Sequence, residues 1–431
     1  MADLMPFRAL HYDTDRVALS DVIVPPYDVI APDERAALYD RDPHSAIRLE
    51  LTRNVGDEAD TQYTHVSDAL RDWQREGVLI RDADPGLYVL RQEFSAPDGS
   101  SLVRDGFFAA LHLEDYSKRV VRPHERTLAG PKADRLRVMR ATGATLSPIF
   151  MLYEDRDDEL SSLLANAVEN PQTEQPAEVA GVSNRLAPLT DPTRIARVRE
   201  FLADRPLVIA DGHHRYETCL AYRDERRAAQ SDSREDPTAH YEWALVYLAN
   251  AFSPGSLLLP IHRVIRKAEV PAPTQSAWSE RLAGWQRKRV AVGRGASPEQ
   301  IREALTEHLK PLAGQPAFAA DDATGHLLIF WRERPLGDAL MVRILEEEVI
   351  GAVFELDGNA IRHGAVSFPK SAERAAAEVR AGEGSVALYL NGMRPEDVFR
   401  VTEAGEVMPQ KSTFFAPKIP TGLVFRVEGE E

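Results

Sequence analysis

Leu207-Val208-Ile209-Ala210-Asp211-Gly212-His213-His214-Arg215-Tyr216-Glu217-Thr218-Cys219-Leu220-Ala221-Tyr222-Arg223 is the stretch on which the reading of the whole chain turns. Leu207–Ala210 is a short apolar run with the look of a buried strand. Asp211-Gly212 makes a turn. A helical pattern follows at once and runs to about Arg227. The first N–H groups of a helix lack partners in the helix and carry the positive end of its dipole, so a strand, a tight turn and a helix start form an anion site. Gly212 lets a phosphate approach the backbone. Arg215 can fork onto two phosphate oxygens, and His213 and His214 can donate or accept beside it. Asp211 is the odd member, because a carboxylate next to phosphate suits Mg²⁺ or proton transfer. A single histidine at a turn is usually a cap or a solvated side chain. Asp-Gly-His-His-Arg directly behind a buried strand is harder to explain that way.

The bulk numbers fit a folded, acidic protein. The chain has 431 residues, 43% of them hydrophobic and 28% charged, with a formal net charge of -16. That length suggests two or three domains and a core that needs no staples. The negative balance disfavours nucleic acid and anionic membranes as partners. Cys219 is the single cysteine, so no internal disulfide can form. The opening residues lack a basic-then-apolar leader, and no apolar run reaches the ~20 residues that span a bilayer. A cytoplasmic protein without a membrane partner is the expectation, and a homo-oligomer is left open.

The chain in order reads as mixed α and β. Val22–Val24 reads as a short strand stopped by Pro25-Pro26, which would fix Tyr27 and Asp28 on a rigid loop as substrate contacts or plain anchors. Pro32–Tyr39 reads as a helix and Ser45–Leu51 as a strand. Tyr63, Val66, Leu70 and Trp73 share one helical face. Leu87–Phe94 and Val103–Leu113 flank Asp98-Gly99 as a hairpin. The loop His124-Glu125-Arg126-Thr127 leads into a helix near Lys132, within a locally basic segment that also holds Arg135, Arg137 and Arg140. A second helix start with Lys132 and Arg126 beside it suits phosphate, although charge runs are most often solvated faces. Ser147–Tyr153 reads as a core strand, and Asp191-Pro192 opens a helix ending near Ala203. His262-Arg263 ends a later strand, either facing the same pocket or as a surface pair. The pattern breaks at 267–273. The tail carries Lys411-Ser412-Thr413 and Lys418 among Phe414, Phe415, Leu423 and Phe425, a composition unlike a disordered segment, and is expected to dock back on the body, either as an anchor alone or with a lysine completing the phosphate pocket.

Pro25-Pro26-Tyr27-Asp28-Val29-Ile30, His124-Glu125-Arg126-Thr127 with Lys132-Ala133-Asp134-Arg135-Leu136, Ser147-Pro148-Ile149-Phe150, Ala210–Thr218 and Met408–Lys418 together resemble the domain-of-unknown-function 1015 family across the whole chain. Gly212–Thr218 also resembles, more distantly, the nucleotide-binding motif of the ParB/sulfiredoxin superfamily, which includes free-serine kinases. The resemblance implies an α+β fold: a ParB/sulfiredoxin-like mixed-sheet part over 1–267 with an inserted hairpin and helices, a smaller α/β domain over 268–405, and a tail over 406–431. It implies that Gly212, His213, His214 and Arg215 cradle nucleotide phosphates, and that Glu125 and Arg126 match the acidic-and-basic segment of that site. The catalytic cysteine of sulfiredoxins is absent, with His213 and His214 in its region. The acidic balance and lack of a helix-turn-helix speak against a DNA clamp.

Three functions follow as expectations. The first is phosphoryl transfer between ATP or ADP and a small hydroxy metabolite, with free serine implied by the resemblance. Phosphates would be bound by Gly212, His214, Arg215, His124, Arg126, Thr127 and Lys132. Glu125 would be the base, with Asp211 and His213 as further catalytic groups, and Mg²⁺ would be held by Asp211 or Asp28. Tyr27, Asp28, His262, Arg263, Lys411, Ser412 and Thr413 are the candidate substrate contacts. The alternatives are a non-catalytic sensor of a nucleotide or phosphometabolite, and a phosphomonoester hydrolase. A metal site of His213, His214 and Asp211 is a weaker alternative, because adjacent histidines at a helix start do not easily reach one ion.

Overall fold

The computed structural model describes residues 1–53, 61–126, 130–169, 177–229, 236–266 and 270–427. Two compact units are present. The first comprises Met1–Leu257 together with Pro417–Glu431, and the second comprises Leu258–Ala416. The expected boundary at 267 falls instead at 257, because Arg263–Arg266 is already a strand of the second unit's sheet. The return to the first unit begins at Pro417, within the stretch read as a tail.

The first unit is built on a nine-stranded sheet. Its strands are β1 (Leu4–Met5), β2 (Leu87–Ser95), β3 (Ser101–His112), β4 (Val121–Arg122), β5 (Ile149–Tyr153), β6 (Ala177–Val179), β7 (Val182–Leu189), β8 (Leu207–Asp211) and β9 (Trp243–Asn250). The order is β4-β8-β5-β9-β3-β2-β7-β6, with β1 added beside β3. β8 runs parallel to β4 and β9 parallel to β5, while the remaining pairs are antiparallel. The sheet is therefore mixed, as expected. The Asp98-Gly99 hairpin forms, with Ser95 opposite Ser101 and Gly99 at φ +84°.

The α-helices among its described residues are α1 (Leu19–Val22), α2 (Pro32–Arg41), α3 (Ile47–Glu50), α4 (Thr61–Arg75), α5 (Gly130–Thr142), α6 (Ser161–Val168), α7 (Pro192–Ala203) and α8 (His213–Ala229). The Asp191 side chain caps α7 by accepting from Thr193 N–H at 2.8 Å and Arg194 N–H at 3.3 Å. Leu164, Val198, Phe201 and Tyr216 from α6, α7 and α8 share a core with Val89, Phe107, Ile149, Met151, Ile209 and Val246 of the sheet. β5 and β9 are buried along their whole length and read as continuous apolar runs for that reason.

Two short apolar runs differ from expectation. Ser45–Leu51 contains the helical turn α3, with Ile47 and Glu50 buried on one face. Val22–Val24 ends α1 and meets the tail through one bridge, Val24 to Thr421, because Pro25-Pro26 remove the next donors. Runs this short have no readable period.

The second unit is a six-stranded antiparallel sheet. Its strands are β10 (Arg263–Arg266), β11 (Gln286–Ala291), β12 (Ala317–Asp321), β13 (His326–Trp331), β14 (Val366–Ser367) and β15 (Gly384–Leu390), in the order β11-β13-β12-β15-β10-β14. Helices Pro298–His308 and Ala372–Arg380 pack on it through Ile301, Leu305, Ala375, Ala376 and Val379. Among the described residues no helix is long and apolar enough to cross a membrane.

Gly106 of β3 lies where the strand meets β9. A Cβ there would stand 2.3 Å from the Tyr247 hydroxyl and 2.5 Å from the Leu248 carbonyl oxygen. The backbone oxygen cannot rotate away. Gly106→Ala is expected to lower unfolding free energy by about 3 kcal/mol, the scale of an overpacked core. An unchanged urea midpoint would refute the close approach.

Candidate functional site

β8 positions the site. Leu207, Val208 and Ile209 are fully buried and pair with Val121 and Arg122 of β4 on one side and with β5 on the other. A bulge between Ile209 and Asp211 shifts the register, so Asp211 rather than Ala210 opposes Phe150. Bulges of this kind re-aim a side chain at a strand's end. Gly212 follows at φ +90°, and its carbonyl accepts the Tyr216 N–H at 2.9 Å to open α8. A Cβ on Gly212 would stand 2.8 Å from Arg215 Nε. Only glycine satisfies both the left-handed backbone and the guanidinium folded over it.

That guanidinium ties the turn together. Arg215 Nη1 donates to the Pro148 carbonyl and Nη2 to Asp211 Oδ2. Among the described residues Arg215 Nε is buried without a hydrogen-bond partner. The other carboxylate oxygen, Asp211 Oδ1, accepts from Lys418 Nζ. Burial alone would raise the Asp211 pKa. The Lys418 ammonium and the Arg215 guanidinium outweigh it and hold the carboxyl well below the usual range.

Two imidazoles lock the neighbouring loop to the turn. His124 N–H donates to His213 Nε2 at 3.2 Å, and His124 Nδ1 donates to the Ile209 carbonyl at 2.5 Å. The rings meet edge to face with centroids 4.6 Å apart. Because His213 Nε2 accepts, the hydrogen-bond network assigns the ring proton to Nδ1, which lies 3.8 Å from Glu125 Oε1. Burial lowers both imidazole pKa values, and in His213 the nearby His124 adds to the effect. His213 is thus a neutral ring that positions its surroundings, and the catalytic role expected of it is not the one the geometry supports. Glu125 keeps 30% of its side chain exposed, against 13% for Asp211.

The structure gathers Glu125, His124, Asp211, Gly212, His213 and Arg215 at one place. His214 opens α8 half-buried, and Arg126 is exposed. Thr127 lies outside the described residues. Lys132 departs from expectation, since its Nζ donates to Glu217 of α8. Two other cations of that segment are matched too: Arg135 bonds Glu50 Oε2 at 2.9 Å, and Arg140 bonds Glu225 at 2.9 Å through Nε. The basic run serves chiefly to join α5 to its neighbours. Tyr27 is half-buried under the Arg135 guanidinium, 4.8 Å from the ring centre, while Asp28 is exposed. Asp211 fits poorly as a Mg²⁺ ligand, because both its oxygens already accept from cations. Among the described residues no group of three or more His, Cys, Asp or Glu is placed to hold a metal ion.

His262, Arg263, Lys411, Ser412 and Thr413 belong to the second unit. His262 is buried, with Nδ1 accepting from Leu390 N–H at 3.3 Å, and burial pushes its pKa down to about 3. Arg263 is fully buried, donating to the Ile261 carbonyl at 2.6 Å and to Glu346 at 3.3 Å. These are core contacts, neither a pocket face nor a surface pair. Ser412 Oγ donates to the Pro409 carbonyl at 2.5 Å, Lys411 is exposed at φ +57°, and Thr413 opens a short strand.

Sequence reasoning missed Glu50, and it named Lys418 in the docking tail without placing it at Asp211. Glu50 is buried, and burial raises its pKa against the pull of Arg135 and Arg215. It lines a small cleft of about 40 Å³ with Arg135, Ser147, Arg215, Thr218 and Cys219. Burial pushes the Cys219 thiol up to about 12, which removes it as a nucleophile. A Glu inside a short apolar run was the available signal for Glu50. For Lys418 the signal was a lysine in an apolar tail expected to dock, and its partner Asp211 was not readable.

The buried imidazoles make stability pH-dependent. An unfolded histidine takes up a proton near pH 6.5, whereas the native rings resist it, so stability present above that pH is lost as pH falls. Unfolding free energy by urea titration is expected to fall between pH 7.5 and pH 5, and less steeply in His213→Gln. An equal slope in both proteins would show that His213 is not a neutral buried ring.

The matches to known proteins cover part of the chain. No curated protein matches it. Among solved structures, a free serine kinase in complex with AMP aligns at 14% identity over 74% of this chain and 92% of that one, with a TM-score of 0.33. A conserved hypothetical protein from Pyrococcus furiosus aligns at 13% identity over 74% and 94%, with a TM-score of 0.32. SbnI with a C-terminal truncation from Staphylococcus aureus aligns at 11% identity over 75% and 83%, with a TM-score of 0.32. The family model described as protein of unknown function (DUF1015) matches residues 4–310, well over half of the sequence, and the chain belongs to that family.

Proposed function

We propose that the first unit binds the phosphates of ATP or ADP at the opening of α8 and transfers the terminal phosphoryl group to a small hydroxy metabolite. The observation that carries this reading is the strand, left-handed Gly212 and helix start, with the Arg215 guanidinium folded over the glycine and Glu125 beside it. Phosphoryl transfer asks a protein mainly for positioning and charge neutralisation. The α8 N–H groups and Arg215 supply both. The fold then corresponds to a ParB/sulfiredoxin-like domain, and the reaction to a cytoplasmic one.

Glu125 is the base in this reading, because it is the carboxylate of the cluster that keeps solvent contact. The acceptor hydroxyl gives its proton to a Glu125 carboxylate oxygen. Its oxygen bonds to the terminal phosphorus as the bridging P–O bond breaks, and that electron pair leaves on the shortened nucleotide. Asp211 holds the two cations in place and touches no reacting atom. Magnesium accompanies the nucleotide, and no step is assigned to a protein-bound ion. Free serine is the first acceptor to test.

Nucleotide binding and turnover with Mg²⁺ and serine test the reading in three proteins. Wild type is expected to bind and turn over. Arg215→Lys, which keeps the charge on Asp211 but loses the fork, should weaken binding about 10-fold or more. Glu125→Gln should bind as wild type and lose about 10²-fold or more in kcat. Binding without turnover in wild type would favour a sensor, and release of inorganic phosphate without an acceptor would favour a hydrolase. A wild-type protein that binds no nucleotide ends the proposal.

A further inference from the structure

We propose that Lys418, delivered by the C-terminal segment, is a phosphate-contacting residue of this site, its ammonium turning from Asp211 to the bound nucleotide's terminal phosphate oxygens. The inference rests on the nucleotide reading above and adds a residue to it from the far end of the chain.

The first argument is how Lys418 is held. The Pro417 carbonyl accepts from Arg104 Nη2 at 2.5 Å, and the Lys418 carbonyl accepts from Gln92 Nε2 at 3.2 Å. Arg104 is fully buried, its guanidinium 4.8 Å from the centre of the Phe150 ring and 5.7 Å from that of Tyr247. Gln92 is fully buried too and bonds Asn184 Oδ1 at 2.9 Å. Anchoring a tail does not need this. Ile419, Leu423, Val424 and Phe425 are each at least nine-tenths buried and supply the apolar grip, and Thr421 bridges Val24 through two backbone bonds at 2.8 and 3.0 Å. Burying a guanidinium costs stability. What Arg104 and Gln92 add is a fixed carbonyl on each side of the Lys418 Cα, and so a fixed origin for the Lys418 side chain.

The second argument is charge. One buried carboxylate, Asp211, carries two cations, Arg215 and Lys418, at a helix start whose dipole end is also positive. The two adjoining imidazoles are neutral and bring no negative charge. Glu125 stays partly in solvent, which screens it. Arg215 faces one Asp211 oxygen and is also drawn by Asp28 and Glu50, and Lys418 brings a second positive charge to the other Asp211 oxygen. A phosphate at the start of α8 is the anion that uses it. A lysine's flexible stem allows the ammonium to swing between the two oxygens.

Isothermal titration of wild type, Lys418→Gln and Lys418→Arg with adenosine, AMP, ADP and ATP, each with Mg²⁺, tests this, with thermal melts confirming folding. Lys418→Gln retains a donor for Asp211, so the variant keeps the tail's local contact. The expected result is a 10- to 100-fold loss of ATP affinity in Lys418→Gln, a smaller loss or none for adenosine, and partial recovery in Lys418→Arg. A uniform loss across all four ligands, or none, would make Lys418 a tail anchor and overturn the inference while leaving the phosphate site standing. A wild-type protein indifferent to all four ligands would instead bring down the nucleotide reading, and this inference with it.

Discussion

The first unit depends on one buried carboxylate shared between two cations. Asp211 accepts from Arg215 through one oxygen and from Lys418 through the other. Removing both cations would leave a buried charge uncompensated, which costs far more than the pairing contributes. That asymmetry binds three pieces of chain. β8 ends at Asp211, α8 begins beside Arg215, and the C-terminal segment must return to bring Lys418. Local details serve the same contact. The bulge in β8 turns Asp211 toward the cations, and Gly212 leaves room for the guanidinium to fold back on its own helix start. Fold and site are the same set of contacts here.

Around this centre, charge is paired across elements and imidazole is kept neutral. Lys132 with Glu217 and Arg140 with Glu225 join α5 to α8, and Arg135 with Glu50 joins α5 to α3. The Arg135–Glu50 pair is buried and therefore fixes geometry more than it adds stability. Exposed pairs such as Arg140–Glu225 contribute little. Neutral His124 and His213 do different work. A neutral ring is both donor and acceptor, so these two can chain the Ile209 carbonyl, the His124 amide and the edge of Glu125 without adding charge to an already crowded place.

Much of this was legible in the sequence where the signal is local. The continuous apolar run of β8, the glycine after it, the capped start of α7 and the hairpin at Asp98-Gly99 each rest on neighbours within a few residues, and each formed. The failures share a different cause. Ser45–Leu51 is too short for a period to separate strand from helix. The basic segment around Lys132 reads as an open anion site until one knows that Glu217 stands opposite, 85 residues on. His262 and Arg263 read as polar and therefore as surface or ligand groups, yet their partners, Leu390 and Glu346, take both into a core. Sequence shows which residues can carry chemistry. It does not show which have been claimed by a distant partner.

Lys418 is the extreme case, because 207 residues separate it from Asp211 and the whole of the second unit lies between. Closing so long a loop costs little more than closing a moderate one, since the entropy grows only as the logarithm of length. The harder requirement is precision. A tail held by apolar contacts alone could slide by a residue and put Pro417 or Ile419 where the ammonium belongs. Two buried donors on consecutive carbonyls, Arg104 on Pro417 and Gln92 on Lys418, set the register, and Thr421 opposite Val24 sets it again three residues later. Until residue 418 is made and seated, Asp211 has one cation rather than two. The architecture thus makes the final electrostatic balance of the turn conditional on the entire chain, with the second unit inserted before the step that completes the first.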